Sequence, residues 1–563
     1  MALRLLPVIA VLALAAPAQA TPRYVVASGG ATSGACGSGA PCTYDYVLNN
    51  AGSSAGDTVY LAPGTYDVTA TPIVVNRQLT ILGDPALARP LIKTTSNGGT
   101  AFTLDTASTG SSLTHIAIQT TGNNGLPLNV KAADTLSDLD VTGALVNCLV
   151  VNASGVSVTN SSLTQTVAGA TSACLQTAST NTTFSGVTVT ATGATGSTVL
   201  LQGSGTTLTD SSIVSGAIAV NINGPGPVVH RETARGGLYG FGASGGTITD
   251  SIGVGGNNGA GIAAFAGNSV VVRNVVGWGT GATSYGIKAA QSFFSGPGGA
   301  IDVRNAIARG DTKDLVVEDG TAPGCLFPPC GPGSMTIDHS NFRTSAGVIT
   351  DNGSEQSGDP LFVNPAAYDF HLGAGSPAID AGVADASNGT TDRDGNARSQ
   401  GAAPDLGAYE TTPVVVTPPG DGGSGGGGGG TGCTPTCPPP PDTTKPVLTH
   451  VAVQHHVFRV GSKPTALVAR KRKPKPIPRG TDIRWKASEA GAVRIAVANA
   501  RKIKVVLGTI QRTTAAGYGK VHWTGRLGKK KLKKGSYRLV ITEIDAAGNV
   551  SGAIIRSVRI APG

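Results

Sequence analysis

The chain has 563 residues, including 81 glycines, and only 13% of its residues are charged. Average proteins contain about 7% glycine and about 25% charged residues, so this composition argues against a helical enzyme and favours long coils of small residues. The net charge of +9 hides two unlike parts, because the residues from Lys445 onward carry 26 Lys and Arg against 4 Asp and Glu. That segment has a net charge of +22, which leaves −13 for the rest and indicates two physically different modules.

The first twenty residues have the features of a secretory signal peptide. Arg4 is followed by an apolar run from Leu5 to Ala16 and by the small-residue ending Ala18-Gln19-Ala20. Such a segment is too short for a membrane anchor, and we expect cleavage after Ala20. No later stretch of the sequence is long and apolar enough to span a bilayer. The sequence therefore predicts a secreted protein without a membrane span, either free or held non-covalently at the cell surface.

A short pattern of alternating apolar and polar residues, ending in Asn or Asp, recurs about every two dozen residues. Examples are Val156 to Leu163, Thr206 to Ile213 and Ile301 to Ala308. Repeats of this length, built from short strands and turns without a helical period, predict a β-solenoid in which each coil packs on its neighbours. The segment from Tyr44 to Ala51 is the exception, and we expect it to form a helix that caps the first coil.

The Asn or Asp that ends each repeat is best explained as a turn residue. Asn and Asp tolerate left-handed backbone and satisfy turn groups with their side chains, so the column predicts a ladder of turns. His115 and His339 occupy the same position of the repeat, and we expect them to be turn residues too. The Asn and Asp members of the column are Asp138, Asn160, Asp210, Asp250, Asn274 and Asn305.

The eight cysteines form four pairs that are local in sequence, and in an exported chain an even number favours disulfides. One pair is separated by 26 residues, which is one coil, so its thiols should lie on adjacent turns. Metal binding is an alternative for the last pair, although no histidine lies nearby. The predicted disulfides join Cys36 with Cys42, Cys148 with Cys174, Cys325 with Cys330, and Cys433 with Cys437.

Chemically active residues are unevenly distributed along the repeats. Between Val141 and Val229 the only charged residue is Asp210 and the only aromatic residue is Phe184, so this stretch is a stack of hydroxyls and methyls. From His230 onward, charged and aromatic residues are frequent. In the repeat frame Arg273, Arg304 and Asp338 share one outward position, so they should stack about 4.8 Å apart on successive coils. Asp302 should lie on the same face.

Several segments resemble a known family. They are YVVASGG (Tyr24 to Gly30), GDTVYLAPGTY (Gly56 to Tyr66), DPLFVN (Asp359 to Asn364), DFHLGAGSPAIDAG (Asp369 to Gly382), DRDGNAR (Asp392 to Arg398) and PDLGAYE (Pro404 to Glu410). Together they resemble bacterial exported right-handed parallel β-helix proteins of the pectate-lyase-like superfamily, and the ending is similar to that of the choice-of-anchor group. The resemblance covers Tyr24 to Glu410. It implies the fold, whereas such proteins include lyases, hydrolases and adhesins.

The lyase resemblance implies a chemistry for the outward column. Carboxylates can hold Ca²⁺ that neutralises an acidic sugar, and an arginine with a lowered pKa can take the proton in β-elimination. The catalytic candidates are then Asp302, Arg273, Arg304 and Asp338. The favoured alternative is a cross-coil ion pair with a structural role. Glycoside hydrolysis needs two facing carboxylates, which Asp302 with Asp338 or Asp311 with Asp314 could supply.

Other residues of the same coils are candidates for ligand binding. Trp278 and Tyr285 could form a platform for sugar rings, together with Phe293 and Phe294, although large apolar residues at a coil bulge more often complete the core. Arg231 and Lys288 are the accompanying cations. The loop Asp392 to Asn396 has the alternating oxygens of a calcium loop but lacks the later Glu, so a structural turn is the favoured alternative. No cofactor is established by the sequence, and Ca²⁺ is the one candidate.

The basic C-terminal module follows a Gly- and Pro-rich tether that runs from Pro413 to Pro441. Alternating strands such as Asp482 to Ser488, and the ending Gly535 to Ser551, resemble bacterial Ig-like or fibronectin-III-like domains. Two basic clusters predict salt-dependent binding of a polyanion, and the alternative is a basic surface without a partner. We do not expect nucleic acid, because no nucleic-acid motif is present. The polyanion-binding candidates are Arg470, Lys471, Arg472, Lys473, Lys529, Lys530 and Lys531.

The sequence therefore predicts an all-β chain, with a right-handed parallel β-helix followed by a flexible linker and a small Ig-like β-sandwich. The expected segments are a signal peptide (1–20), the β-helix (21–411), the linker (412–443) and the basic β-sandwich (444–563). Two functions are open. The first is an exported or cell-surface protein that binds polysaccharide or another extracellular polymer and attaches to an anionic cell-envelope polymer through its basic C-terminal domain. The second is a polysaccharide lyase or glycoside hydrolase that acts on an acidic polysaccharide. We expect a monomer.

Overall fold

The computed structural model describes residues 20–292, 296–321, 330–411, 448–453, 457–458, 480–487, 491–499, 502–515, 517–527, 530–545 and 554–561. The chain divides into two compact units, Met1–Pro418 and Pro419–Gly563. Most of the signal peptide and all of the tether lie outside the described residues. So do the following predicted site residues: Phe293, Phe294, Cys325, Cys433, Cys437, Arg470, Lys471, Arg472, Lys473 and Lys529.

The first unit is a right-handed parallel β-helix with three sheets, which confirms the predicted solenoid. The strands of these three sheets pair in parallel with the equivalent strands of neighbouring coils, for example Thr135 with Ser157 and Leu136 with Val158. Alternate residues point inward, so in Ser157–Thr159 the middle Val158 is buried and its two neighbours face outward. The inward residues of all coils form one continuous apolar core.

Strands are numbered in chain order. The first sheet has 14 strands: β1 (Pro22–Val25), β2 (Thr58–Leu61), β5 (Thr80–Gly83), β8 (Ser112–Thr114), β11 (Thr135–Ser137), β14 (Ser157–Thr159), β17 (Thr183–Ser185), β20 (Thr207–Thr209), β23 (Val228–His230), β26 (Thr247–Thr249), β29 (Val270–Arg273), β32 (Ala300–Arg304), β35 (Ser334–Asp338) and β37 (Ile349–Asp351).

The second sheet follows the first in each coil and has 11 strands: β3 (Thr65–Asp67), β6 (Leu91–Thr94), β9 (Ala117–Thr120), β12 (Asp140–Gly143), β15 (Ser162–Gln165), β18 (Thr188–Ala191), β21 (Ser212–Ser215), β24 (Thr233–Gly236), β27 (Ile252–Gly255), β30 (Val276–Gly279) and β33 (Ile307–Arg309).

The third sheet completes each coil and has 12 strands: β4 (Ile73–Val75), β7 (Thr100–Leu104), β10 (Leu126–Val130), β13 (Leu149–Val151), β16 (Leu175–Thr177), β19 (Ser197–Leu201), β22 (Ile218–Ile222), β25 (Tyr239–Ala243), β28 (Ala260–Ala264), β31 (Tyr285–Ala289), β34 (Lys313–Val317) and β36 (Ser345–Ala346).

A ladder of left-handed residues forms the corner between the first and second sheets. The six predicted Asn and Asp residues of the column all have positive φ, between 48° and 56°, and His115 and His339 share this conformation. Their side chains also bond along the stack, since Asn305 Nδ2 donates to Asn274 Oδ1 (2.9 Å) and Asn274 Nδ2 donates to Asp250 Oδ1 (3.1 Å). The predicted turn ladder is therefore confirmed.

The first coil is closed by a short helical turn and a disulfide. A π-helical turn spans Asp45–Asn49 and buries Val47 and Leu48, within the segment that the sequence predicts to be helical. Cys36 is bonded to Cys42, and Cys148 is bonded to Cys174 across two adjacent coils. Cys330 also forms a disulfide, whereas its predicted partner Cys325 lies outside the described residues.

The last part of the first unit leaves the coil path and packs on the outer face of the second sheet. It contains a 3-10 turn (Pro365–Ala367) and an antiparallel hairpin of β38 (Phe362–Asn364) and β39 (Asp369–Leu372). Phe370, Leu406 and Ala408 of this last part bury apolar surface against Val276 and Ile307 of the second sheet. A second 3-10 turn of the first unit, Thr106–Ser108, lies among the coils. We call residues 376–411 the C-terminal strap.

The second unit consists mainly of antiparallel strands in two larger sheets and one short hairpin. Its buried core includes Trp485, Ile495, Trp523 and Leu539. The predicted Ig-like topology stays a prediction. The strands are β40 (Leu448–Val453), β42 (Thr481–Ala487) and β45 (Gly517–Trp523) in one sheet, β41 (Val457–Phe458), β43 (Gly491–Asn499), β44 (Lys502–Thr514), β48 (Gly535–Asp545) and β49 (Ile554–Ile560) in another, and β46 (Arg526–Leu527) with β47 (Lys530–Lys531) in the hairpin.

Within the described part of the chain, no helix has the length and apolarity needed to cross a membrane.

Candidate functional site

The four predicted catalytic residues lie together on the first sheet. Arg273 pairs in register with Arg304, which pairs with Asp338, and Asp302 lies one strand from Arg273. Arg273 Nη2 donates to Asp302 Oδ2 at 2.7 Å, and the Arg304 Nε to Asp338 Oδ2 distance is 3.7 Å. The repeat frame therefore places these side chains as the sequence predicts.

The column is covered by the C-terminal strap. Asp385 of the strap lies between the two arginines, with its Oδ2 at 2.6 Å from Arg304 Nη1 and 3.3 Å from Arg273 Nε. Although burial opposes it, the Ser387 amide and the two guanidinium groups lower the pKa of Asp385 below its usual value. Arg273 is only 3% exposed. This geometry supports the structural alternative, in which the column holds the strap on the coils.

Arg231, a predicted ligand-binding residue, occupies the turn ladder. Its φ is 55°, and its guanidinium donates to both carboxylate oxygens of Asp210 at 2.7 Å. It also donates to Thr391 Oγ1 of the strap at 2.6 Å. Arg231 therefore contacts the strap, as Arg273 and Arg304 do. It does not lie with the other predicted ligand-binding residues.

Tyr285 and Lys288 lie together on the third sheet. Lys288 Nζ is 2.5 Å from Glu318 Oε1 and 5.7 Å from the centre of the Tyr285 ring. Tyr239 is on the same face two strands away, and burial raises the pKa of its phenol. We call Tyr239, Tyr285, Lys288 and Glu318 the tyrosine patch. Because Lys288 is already paired with Glu318, a ligand at this patch would contact mainly the aromatic rings.

Trp278 lines a cleft of about 610 Å³ between the second sheet and the chain that follows the coils. Its indole is half-buried and packs against Phe370, with ring centres 5.0 Å apart, and against Phe362 at 5.8 Å. These contacts are those of the predicted core plug, and the predicted role of Trp278 as a platform for sugar rings stays a prediction. The other residues of the lining are Gly279, Arg309, Gly310, Asp311, Arg343, Asp359, Pro360, Leu361, Phe362 and Pro365.

Two arginines line the cleft, and they differ in exposure. Arg343 is the accessible one, because its side chain is 54% exposed. It holds the buried Asp314 through Nε and Nη2, each at 3.2 Å, and Nη1 has no hydrogen bond among the described residues. Arg309 is buried, and this burial lowers its pKa to about 10. Its guanidinium donates to the backbone oxygens of Asn341 and Gly358, each at 3.0 Å.

Two exposed carboxylates complete the cleft. Asp311 Oδ2 accepts from the Gly281 amide at 2.9 Å, and Asp359 Oδ1 accepts from the Leu361 amide at 3.0 Å. Each keeps its second oxygen free of hydrogen bonds with described residues. The lining therefore combines a ring face, a free guanidinium edge and carboxylate acceptors, which are the groups that orient a sugar acid.

Sequence analysis missed Arg343, Asp359 and Asp385 as site residues. They follow the last regular coils, so no repeat position predicts where they lie. Asp359 and Asp385 fall within or next to the segments of the family resemblance, and Arg343 comes directly after the last repeat, but neither feature indicates a spatial partner. Only the path of the non-repeating chain brings them to the coils.

Asp392, the first carboxylate of the predicted calcium loop, is engaged in hydrogen bonds within the chain. Asp392 is fully buried, and its two oxygens accept from the amides of Asp394, Asn396 and Glu410 at 2.7 to 3.0 Å. These contacts are those of a structural turn, the alternative that the sequence favours, and they occupy both oxygens of Asp392, whereas Ca²⁺ requires several oxygen ligands. In the part of the chain that the structure describes, no group of three or more His, Cys, Asp or Glu is arranged to hold a metal ion.

The second unit contains a basic groove of about 690 Å³. Lys530 and Lys531, two of the predicted polyanion-binding residues, lie on its rim and are exposed. The groove also contains Lys533, Lys534, Tyr537 and Arg559.

No protein-family model and no curated protein matches the chain. Among solved structures it is similar to pectate lyase Pel9A (15% identity, 70% of this chain and 96% of that chain, TM-score 0.40). It is also similar to a rhamnogalacturonan lyase (13% identity, 61% and 91%, TM-score 0.29) and to the enzymatically active domain of tailspike protein 2 of bacteriophage CBA120 (10% identity, 90% and 72%, TM-score 0.30). At these values the similarity carries no statement about activity.

Proposed function

We propose that the protein is exported and that its β-helix unit binds an acidic extracellular polysaccharide in the cleft beside Trp278. One observation carries the proposal: a half-buried indole and the exposed guanidinium of Arg343 line the same cleft. An aromatic ring packs on the apolar face of a sugar, and a guanidinium edge binds a carboxylate with paired hydrogen bonds. Asp311 and Asp359 can accept hydrogen bonds from sugar hydroxyls.

The second unit would attach the protein to anionic envelope material through its basic groove. The lysines of the groove are a concentrated positive charge, and such charge attracts polyanions without selecting one of them. The two units would then bind different polymers: the first through the specific contacts of the Trp278 cleft, and the second through its positive charge.

Binding of polygalacturonate or alginate to the full-length protein tests the cleft. We expect Arg343→Gln and Trp278→Ala each to weaken binding about tenfold or more, because each removes a central contact. Arg89→Gln is the matched control, since Arg89 also pairs with an aspartate, Asp138, on another part of the β-helix unit. Thermal unfolding of each variant separates lost contacts from lost structure. Equal affinity of wild type and folded Arg343→Gln would refute the proposal.

A second candidate function is cleavage of the same polymer by a lyase or hydrolase. The specific observation is that Arg309, with its pKa lowered to about 10 by burial, lines the cleft with two carboxylates. However, the described hydrogen bonds of Arg309 occupy both terminal nitrogens, which disfavours it as a base. Incubation with polygalacturonate or alginate, with and without Ca²⁺, distinguishes the two functions: new absorbance near 235 nm or new reducing ends would establish cleavage, as expected for these reaction classes.

A further inference from the structure

Five neighbouring strands of the first sheet, β8, β11, β14, β17 and β20, carry Ser or Thr at both of their outward positions. No other residue type interrupts this set. We call it the hydroxyl array, and its members are Ser112, Thr114, Thr135, Ser137, Ser157, Thr159, Thr183, Ser185, Thr207 and Thr209.

The array is a two-dimensional lattice. Each member pairs in register with its neighbours, as Thr135 does with Ser112 and Ser157, without a register shift across the five strands. Neighbouring members lie about 4.8 Å apart along the helix and about 6.6 Å apart along a strand, the spacings of parallel sheets. Between them the buried Leu136, Val158 and Phe184 fix the strands to the core. Branching at Cβ restricts the threonine rotamers further.

Most hydroxyls of the array are free of protein hydrogen bonds. Thr114 and Ser137 share one bond of 3.0 Å, and Thr209 Oγ1 donates to the Phe184 carbonyl at 3.5 Å. The other seven make none with the residues that the structure describes. Serines at the neighbouring corner behave differently, since Ser161 and Ser211 accept bonds from the Leu139 and Val187 amides. The array hydroxyls are therefore available to an external partner.

The chemistry of the array excludes several kinds of partner. No outward position of these strands carries a charge, so the array does not attract ions or polyanions. The one aromatic residue in these strands, Phe184, is buried, so no ring is available to stack on a sugar. An uncharged array of hydroxyls and methyls complements a partner that is itself uncharged and repeats in two dimensions with hydrogen-bonding groups.

We propose that the hydroxyl array binds ice. The array repeats in two dimensions, as the water molecules of an ice face do, and its rigid, uncharged hydroxyls and methyls can order a layer of water against that face. Each contact is weak, but members that are fixed in place bind together without a further entropy cost. This inference is independent of polysaccharide binding, because the array lies on a different sheet and on different coils from the Trp278 cleft.

Partition of the full-length protein into a slowly growing ice hemisphere, together with inhibition of ice recrystallisation, tests the proposal. The array variant is Thr159→Lys with Thr183→Lys, which places two charges in the middle of the lattice. The matched control is Val150→Lys with Leu200→Lys, which changes outward positions of the third sheet in β13 and β19. Thermal unfolding checks that both double variants are folded.

We expect the wild type and the control variant to enter the ice more than a non-binding protein does. The array variant should be about tenfold less potent in inhibiting ice recrystallisation. Exclusion of the wild type from ice would overturn the proposal. So would an equal loss in both folded variants, or no loss in the array variant. Retention on microcrystalline cellulose that depends on the array, without an effect on ice, would also contradict it and would assign the array to a crystalline sugar polymer.

Discussion

Single residues at the corner of the coils decide how the chain turns and what it can hold there. Most coils place Asn or Asp in the left-handed position, which these residues adopt at a lower cost than others. Gly186 and Arg231 take the same position in two further coils. A glycine has no steric cost there, whereas Arg231 is stabilised by its ion pair with Asp210 and its bond to the strap. At the corner, the contacts that a residue such as Arg231 makes therefore offset the strain of its left-handed backbone.

Glu355 gives a prediction at the residue scale. Burial raises its pKa to about 8, helped by the negative charges of Asp351 and Asp338, and its Oε2 accepts from the Ser340 amide. The unfolded pKa is about 4.3. Between these values the folded state binds more protons than the unfolded state, so stability should fall as pH rises from about 4.5 to about 8.

The variant Glu355→Gln keeps the acceptor for Ser340 and cannot ionise. We expect it to raise the melting temperature relative to wild type at pH 8.5 and to have little effect at pH 4.5, when measured by thermal unfolding at both values. An equal difference between variant and wild type at the two pH values would contradict the assigned ionisation.

At the scale of elements, the strap is held by charge as well as by apolar packing. Asp385 contacts Arg273 and Arg304, Arg398 donates to Asp250 at 2.7 Å, and Asn305 exchanges two bonds of 2.8 Å with the backbone of Val383. The coils beneath the strap carry the arginines and asparagines that receive it. These contacts account for several of the charged residues in the coils after His230, whereas Asp210 is the only charged residue between Val141 and Val229.

Replacing Asp385 by Asn tests that attachment. It leaves Arg273 buried with a weaker set of partners, and removal of one member of a buried ion pair costs about 3 to 5 kcal/mol. We expect limited proteolysis to cut within residues 380–400 at least several-fold faster in Asp385→Asn. The control Asp311→Asn removes an exposed carboxylate outside the strap and should leave the cutting rate unchanged; an equal rate in all three proteins would argue against the role of Asp385.

The two described disulfides offer a second comparison of elements. Cys148–Cys174 closes 26 residues and Cys36–Cys42 closes 6. In the chain-entropy account, the longer loop gives about 3 to 4 kcal/mol and the shorter one about 1 kcal/mol less. Replacing both cysteines of a pair by Ala should therefore lower the melting temperature more for Cys148–Cys174. A larger decrease for the shorter loop would show that the end of the helix depends on its cap more than on chain entropy.

For the whole molecule, the concentration of positive charge in the second unit predicts that this unit binds polyanions in a salt-dependent way. We expect the protein to bind dextran sulfate beads at low salt and to be released near 1 M salt, where the Debye length is about 3 Å. Lys530→Ala with Lys531→Ala should elute at lower salt, since both line the basic groove. Arg512→Ala with Lys520→Ala removes two exposed charges outside the groove and controls for net charge. Salt-independent retention would contradict the electrostatic attachment.

The repeat made much of the first unit predictable. A side chain's position in the period determines its face and its neighbours on adjacent coils, and this placed Arg273, Arg304 and Asp338 in one column and Cys148 beside Cys174. The repeat period does not predict that the C-terminal strap folds back over the coils. Asp385 is 81 residues from Arg304 and 112 from Arg273, so the contact that neutralises the column was not predictable.

The cleft shows the same limit. Trp278 was predictable as an exposed or plugging aromatic because it lies in a repeat, whereas its partners Phe362, Phe370 and Arg343 come from the irregular chain. Long-range contacts of non-repeating segments depend on tertiary packing, and no local pattern in this sequence encodes them.

A crystal structure of the full-length protein soaked with a short galacturonate oligosaccharide would show directly whether the Trp278 cleft binds an acidic sugar. We expect a sugar ring on the face of Trp278 with its carboxylate at the Nη1 edge of Arg343, and Arg273 still covered by Asp385. A ligand bound at the tyrosine patch, or one that displaces the strap and contacts Arg273 and Arg304, would contradict this expectation.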